Sequence, residues 1–207
     1  MKRNILLAFA AFLVAGSVDA QSRFGIQAGG LLTGNSIGTY TEGGVEYSPG
    51  TLTGRSLGLR FSTSLGERSD LRLEFLHSAK GYRETGGTGS AQEKYTYRLV
   101  QQELPVSILF KPVRSLPGLY LGGGPYVGLN IRASEKDDLS GIGSEYDFGE
   151  DVKRAEVGFQ FLAGIPVGKR MSIDLRYARA LTDTYIGYGS NRNYLLGLYL
   201  GYWLGGK

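Results

Sequence analysis

The sequence predicts an all-β chain whose eight antiparallel strands run up and down and close into a transmembrane β-barrel. Three observations predict it. Eight segments of roughly ten residues alternate apolar with polar or small side chains. The connections between them alternate long and short. The composition is rich in glycine and tyrosine and lacks cysteine. Alternation of period 2 puts residues i, i+2 and i+4 on one face of a strand, and a tilted strand of about 9–11 residues crosses a bilayer.

The first element is a targeting segment, residues 1–20, which leaves 21–207 as one barrel domain. Lys2 and Arg3 precede an apolar run from Ile5 to Gly16, and Val18 and Ala20 occupy the −3 and −1 positions of a signal-peptidase site. Gln21, not cysteine, follows the expected cut, which argues against a lipidated anchor. Export permits disulfides, yet the chain has no cysteine to form them. The 33 glycines are more than twice the usual share of about 7%. They show no collagen period, and the 42% hydrophobic content argues against disorder. A net charge of +4 with scattered Lys and Arg leaves no nucleic-acid footprint.

The strands follow in order. "RFGIQAGGLLT" puts Phe24, Ile26, Ala28 and Leu32 on one face. "RSLGLRFSTSL" sets Leu57, Leu59, Phe61 and Leu65 against Ser56, Gly58, Arg60, Ser62 and Ser64. "DLRLEFLHSAKGY" sets Leu71, Leu73 and Phe75 against Arg72, Glu74, Ser78 and Lys80. "LVQQELPVSILF" sets Leu104, Val106, Ile108 and Phe110 against Gln101, Glu103 and Ser107. "LYLGGGPYVGLNIR" sets Leu121, Val127, Leu129 and Ile131 against Tyr120, Tyr126, Asn130 and Arg132. "EVGFQFLAGIPVG" sets Val157, Phe159, Phe161 and Ile165 against Glu156, Gly158, Gln160 and Gly164. "MSIDLRYARA" sets Met171, Ile173, Leu175 and Tyr177 against Ser172, Asp174 and Arg176.

The eighth segment, "NYLLGLYLGYWL", contains G-x-x-x-G at Gly197 and Gly201 but is too short for a membrane helix. As a strand it carries Tyr194, Leu196, Leu198, Leu200, Tyr202 and Leu204 on one face, leucine in the middle and tyrosine near each end. That is the lipid face of a barrel strand with its aromatic girdles. A soluble sandwich strand has a polar outer face instead. Pro105, Pro125 and Pro166 fall within strands and are expected at bulges or strand ends.

The connections support closure. Residues 34–53, 83–94, 133–151 and 181–192 are long, whereas "GERS", "KPVRSLPG" and "GKR" are short. Barrels of the outer membrane have short periplasmic turns and longer extracellular loops, and only helices and closed barrels satisfy their backbone in lipid. Eight strands leave an interior that side chains fill, with small inward glycines making room for the Tyr, Arg and Glu that share that face.

The inward charges are Arg60, Arg72, Glu74, Lys80, Glu103, Arg132, Glu156, Asp174 and Arg176. Buried charges have to be paired, so the favoured reading is a structural polar network in the lumen; an ion path or solute site is the alternative. His77, the only histidine, shares the lipid face with Leu73 and Phe75 near the outer interface, which favours a girdle position over a catalytic base. The acidic segment 133–151 lacks EF-hand spacing and reads as a solvated loop. "GGGPYVG" is not a nucleotide-binding loop, and C-x-x-C, H-E-x-x-H and G-x-S-x-G are absent. No cofactor is expected.

The stretches "EFLHSAKGY", "QQELPVSILFKP", "LYLGGGPYVG", "VGFQFLAGIPVGKRMSIDLRYARALTD" and "NRNYLLGLYLGYWL" resemble the small outer-membrane β-barrel, or "porin family", proteins of Bacteroidetes-type bacteria, which include PorT-like proteins. The most specific pieces are E-L-P at Glu103–Pro105, the G-P-Y ending at Tyr126, and D-L-R-Y at Asp174–Tyr177. Such barrels usually end on an aromatic residue, whereas this chain continues past Trp203 with "LGGK". The resemblance implies an eight-stranded outer-membrane barrel and no catalytic residue. The expected protein is therefore a non-enzymatic outer-membrane barrel with a structural, adhesive or secretion-accessory role. Its partners would be outer-membrane lipid and envelope or secretion-system proteins, with no nucleic acid. Its rivals are a small-solute or ion channel, a membrane enzyme, and a soluble lipocalin-like carrier with an apolar interior.

Overall fold

The computed structural model describes residues 22–87, 93–111, 118–138, 140–146, 148–186 and 190–205. The expected targeting segment 1–20 lies outside them. The chain forms β1 (Arg23–Asn35), β2 (Tyr40–Glu42), β3 (Val45–Ser64), β4 (Ser69–Gly86), β5 (Glu93–Phe110), β6 (Tyr120–Asp137), β7 (Gly143–Glu145), β8 (Ala155–Val167), β9 (Met171–Ala180) and β10 (Asn193–Gly205). Eight of these make a ring in which every pairing is antiparallel. β1 pairs with β10 on one side and with β3 on the other, which closes it. The short β2 and β7 add to β3 and β6.

The alternation is inverted relative to a soluble protein, as lipid outside and a polar fill inside require. Along β9 the exposure alternates at every residue. Leu198 is 60% exposed while Asp174 is fully buried. That pattern excludes a lipocalin, whose apolar residues would line the inside. Leucine, isoleucine, valine and phenylalanine form the outer band on all eight ring strands.

The strands differ in height. β8, β9, β10 and β1 have 10–13 residues, close to what a tilted crossing needs, whereas β3, β4, β5 and β6 have 18–20. Much of the sequence expected as long loops is therefore strand. Residues 45–53, 83–86, 93–94 and 133–137 extend the ladder beyond the apolar band, and 143–145 folds back on β6. The β2–β3 turn is Gly43-Gly44 with φ of 58° and 83°, a two-residue hairpin that needs left-handed backbone at both positions.

Two of the prolines sit where no bulge occurs. The β4–β5 ladder is interrupted between Leu73 and Leu76, beside Pro105, and the β5–β6 ladder between Pro105 and Ile108, opposite Pro125; the register is the same on both sides of each gap. Missing proline N–H groups cost ladder bonds without shifting the strands. Pro166 lies one residue from the end of β8, as expected.

Inward glycines seat large neighbours. A Cβ on Gly201 would lie 1.9 Å from Arg60 Nη1, and one on Gly164 would lie 2.4 Å from Asp174 Oδ1. On Gly158 it would lie 2.3 Å from the Tyr126 ring, and on Gly29 2.6 Å from that of Tyr199. The G-x-x-x-G of β10 is thus a pair of berths, one for Arg60 and one for Tyr199 and Leu31. Gly201→Val should displace Arg60 and destabilise the barrel by about 1–3 kcal/mol. Gly205→Val, with no atom within 4 Å of its Cβ, should leave stability unchanged. Urea titration of the heat-modifiable gel band in detergent checks both.

Candidate functional site

The lumen is packed with ionised side chains in three levels. Nearest the short turns, Asp174 on β9 meets Arg72 Nη1 at 3.1 Å and Arg60 Nη1 at 3.4 Å, accepts from Ser172 Oγ at 3.2 Å, and accepts from the Tyr120 hydroxyl. At mid-height, Glu74 on β4 pairs with Arg176 Nη2 at 2.8 Å and accepts from Gln27 Nε2 at 2.7 Å. Above it, Lys80 Nζ lies 2.9 Å from Glu156 and 3.2 Å from Glu103. Glu156 also accepts from Tyr126 at 3.0 Å, Asn193 at 2.7 Å and Thr184 at 3.4 Å.

Aromatic rings lie against the guanidinium groups of the arginines. The Arg60 guanidinium sits 3.8 Å from the Trp203 ring centre, Arg176 4.3 Å from Tyr199, and Arg72 5.0 Å from Tyr120. In a desolvated setting such a contact is worth up to about 2 kcal/mol. Within these three levels four buried cations (Arg60, Arg72, Lys80, Arg176) face four buried carboxylates (Glu74, Glu103, Glu156, Asp174); two further buried acids lie at the ends, Asp70 paired with Lys111 and Glu84 accepting from the Tyr40 hydroxyl. The balance matters because an unpartnered buried charge costs several kcal/mol.

Arg132 does not belong to this set. Its side chain is 66% exposed and pairs outside the barrel with Glu145. The cause is a bulge. Val100 opposes Arg132 while Gln101 opposes Asn130, so Ile131 is an extra residue in β6. One inserted residue reverses the parity beyond it, and Arg132 turns outward beside Ile131. Period-2 counting has no access to an insertion within an unbroken strand. The inward positions read for Gln101, Asn130, Gln160 and Ser107 hold, and the structure pairs them, Gln101 with Asn130 and Gln160 with Ser107, each at 2.7 Å; the expected network, confined to charged residues, left out these pairs and Gln27, which bonds Glu74 at 2.7 Å.

The extracellular mouth is capped by tyrosines. Tyr82 and Tyr97 stack with ring centres 4.6 Å apart, and Tyr185 meets Tyr82, Tyr97 and Tyr146 edge-on at 5.8–6.1 Å. Tyr185 is held by Asn191, whose Oδ1 accepts from the N–H groups of Thr184 and Tyr185 at 2.8 and 2.7 Å. Val152, fully buried, comes from the segment before β8 and bridges to Tyr185. Two connections thus join across the opening. Outside the membrane band, Tyr47 donates to Glu93 at 2.7 Å, and that bond pushes its hydroxyl up to about 12.

His77 stands on the outer face, hydrogen-bonded through Nδ1 to Gln102 Nε2 at 2.9 Å, one outward position below Ala79. The acids of 133–151 are dispersed. Glu135 accepts from Tyr146, Asp138 pairs with Arg83, and Glu145 pairs with Arg132; Asp147 lies outside the described residues.

Residues 16–185 match the family model described as outer membrane protein beta-barrel domain. The chain belongs to that family. Among solved structures, Neisserial surface protein A is 17% identical over 86% of this chain and 96% of its own, with a TM-score of 0.50; the likeness shows the fold. The attachment invasion locus protein Ail of Yersinia pestis is 13% identical over 89% of this chain and 99% of its own, TM-score 0.48. OprG of Pseudomonas aeruginosa is 12% identical over 89% and 97%, TM-score 0.41. No curated protein sequence matches the chain. In this member of the outer membrane beta-barrel family, E-L-P, G-P-Y and D-L-R-Y all deliver lumen side chains: Glu103 to Lys80, Tyr126 to Glu156, and Asp174 and Arg176 to their partners.

Arg176→Leu leaves Glu74 without its cation, and Asp174→Leu leaves Arg60 and Arg72 without theirs. Each should lower stability by about 3–5 kcal/mol, whereas Glu42→Leu, on the exposed β2–β3 hairpin, should change it by less than about 0.5 kcal/mol. Denaturant midpoints in detergent measure the difference, and equal effects at inner and hairpin sites would refute a stabilising network.

Proposed function

We propose that this outer-membrane barrel is a closed scaffold that holds a projecting β-sheet outside the cell for adhesive contact, and that it is neither a channel nor an enzyme. The observation that carries the reading is the combination of a lumen filled by charge pairs with a mouth covered by tyrosines. Water-filled channels have 16–18 strands, whereas eight leave room only for side chains. The non-enzyme reading is supported by His77 lying on the outer face against Gln102.

The projecting sheet supports the adhesive role. β3–β6 continue past the apolar band and are flanked by β2 and β7. Short exposed edge strands offer free backbone groups to a partner's strand. Stacked Tyr40 and Tyr47, with Tyr95 beside them, add aromatic surface next to the β2 edge. A PorT-like kinship, suggested by the E-L-P, G-P-Y and D-L-R-Y stretches, would direct the same surface toward envelope or secretion-system proteins, and export would rest on the targeting segment 1–20.

Reconstituted in a planar bilayer at neutral pH, the protein should give no steady conductance; a stable, reproducible channel would overturn the closed reading. Displayed on a non-adherent Gram-negative host, the wild type should raise attachment to matrix-coated surfaces. A variant with residues 38–48 replaced by a Gly-Ser turn should lose that gain at equal surface expression. Unaltered attachment would refute the adhesive role.

A further inference from the structure

The outer face carries a second built feature that the closed scaffold does not use. On four neighbouring strands the outward apolar column ends, toward the extracellular side, on an arginine. Leu57 gives way to Arg55 on β3, Ala79 to Arg83 across the covered Gly81 on β4, Val100 to Arg98 on β5, and Ile131 to Arg132 on β6. The ladder fixes their spacing. Arg55 opposes Ala79, Ala79 opposes Val100, and Val100 opposes Arg132, while Arg98 lies one row further out between Gly81 and Ser134. With strands about 4.8 Å apart, the cluster spans about 14 Å. Small residues between the arginines leave a groove of about 740 Å³.

The groove keeps an excess of positive charge. Asp138 lies 3.7 Å from Arg83, and Glu145 pairs with Arg132. Among the described residues Arg55 and Arg98 have no ion pair. Directly below, toward the membrane centre, lies an apolar groove of about 850 Å³ floored by Ala28 and Gly30 and walled by Leu57, Leu198 and Leu200. The two grooves share Arg55, Ala79 and Val100, so they form one continuous feature, basic above and apolar below.

We propose that this feature binds a phosphorylated lipid of the outer leaflet, its phosphates among Arg55, Arg83, Arg98 and Arg132 and an acyl chain in the apolar groove. Guanidinium forks match phosphate oxygens bidentately, and each groove lies within the usual ligand-site range of about 300–1,000 Å³. A free phosphate would have no use for the lower groove. The bulge at Ile131 gains a purpose: it takes Arg132 out of the lumen and aims it at the headgroup.

The test uses the purified barrel in dodecyl maltoside, titrated with diphosphoryl lipid A, phosphatidylcholine or inorganic pyrophosphate. Lipid A should bind tightest and more weakly as salt rises. The double variant R55Q/R98Q should lose on the order of 30-fold in affinity, two contacts of about fivefold each, while keeping its heat-modifiable mobility. Gly30→Phe, which fills the lower groove, should weaken lipid A as well. Arg68→Gln, in a short turn at the opposite end, should bind as the wild type does. Equal binding of phosphatidylcholine, pyrophosphate binding as tight as lipid A, an unaffected R55Q/R98Q variant, or no lipid A binding would each overturn the proposal. None of these outcomes depends on the adhesive reading.

Discussion

Ring closure is the constraint on which everything else in this molecule rests. In lipid every backbone N–H and C=O has to find a partner within the protein, and the β1–β10 and β1–β3 ladders provide the last of them. Once eight strands close, the width of the interior is set, and so is the volume to be filled. The chain fills it with large polar side chains, which then need partners because no water-rich bore is left. The glycines of β8 and β10 follow from the same demand. Arg60, Asp174 and Tyr126 occupy the space that a Cβ on Gly201, Gly164 or Gly158 would take.

Charge balance is a further consequence. Each buried arginine meets a carboxylate at one edge and an aromatic face on its flat side, a division of labour suited to a planar cation. Lysine, a point charge, is used where two carboxylates approach from different directions, Glu103 and Glu156 around Lys80. Whether such a network adds net stability over an apolar core depends on geometry. Here an apolar core would have made the inner and outer faces alike and left nothing to define which is which.

How much was legible in the sequence follows from where lipid lies. Opposite the bilayer one face must be apolar, so the alternation of β9 and β10 could be read directly, and with it the inward positions of Arg60, Arg72, Glu74, Glu103, Glu156, Asp174 and Arg176. Past the bilayer the outer face is wet and the buried inner face mixes Tyr82, Glu84 and Thr96, so the apolar period carries no signal, and the outer halves of β3–β6 looked like loops. Tyr95-Thr96-Tyr97, a run of strong strand formers, was the trace left there. Arg132 was misplaced because an inserted residue leaves no mark on composition. Pro105 and Pro125 misled in the opposite direction, since a ladder can lose bonds locally and keep its register. Which acid meets which base was not legible, because partners such as Arg72 and Asp174 lie 102 positions apart.

The pairing of the first strand with the last has a consequence in time. Asn35 and Asn193 are bonded across 158 positions of chain, so the seam cannot form until the chain through Asn193 has been made and delivered. Contacts this distant in sequence are slow to form. Before the seam forms, β1 and the newest strand both present unpaired edges, which invite neighbouring chains. Membrane entry therefore waits on the last strand of the ring: a chain that stops short of Asn193 has seven of the eight ring strands and still lacks the one join that closes them.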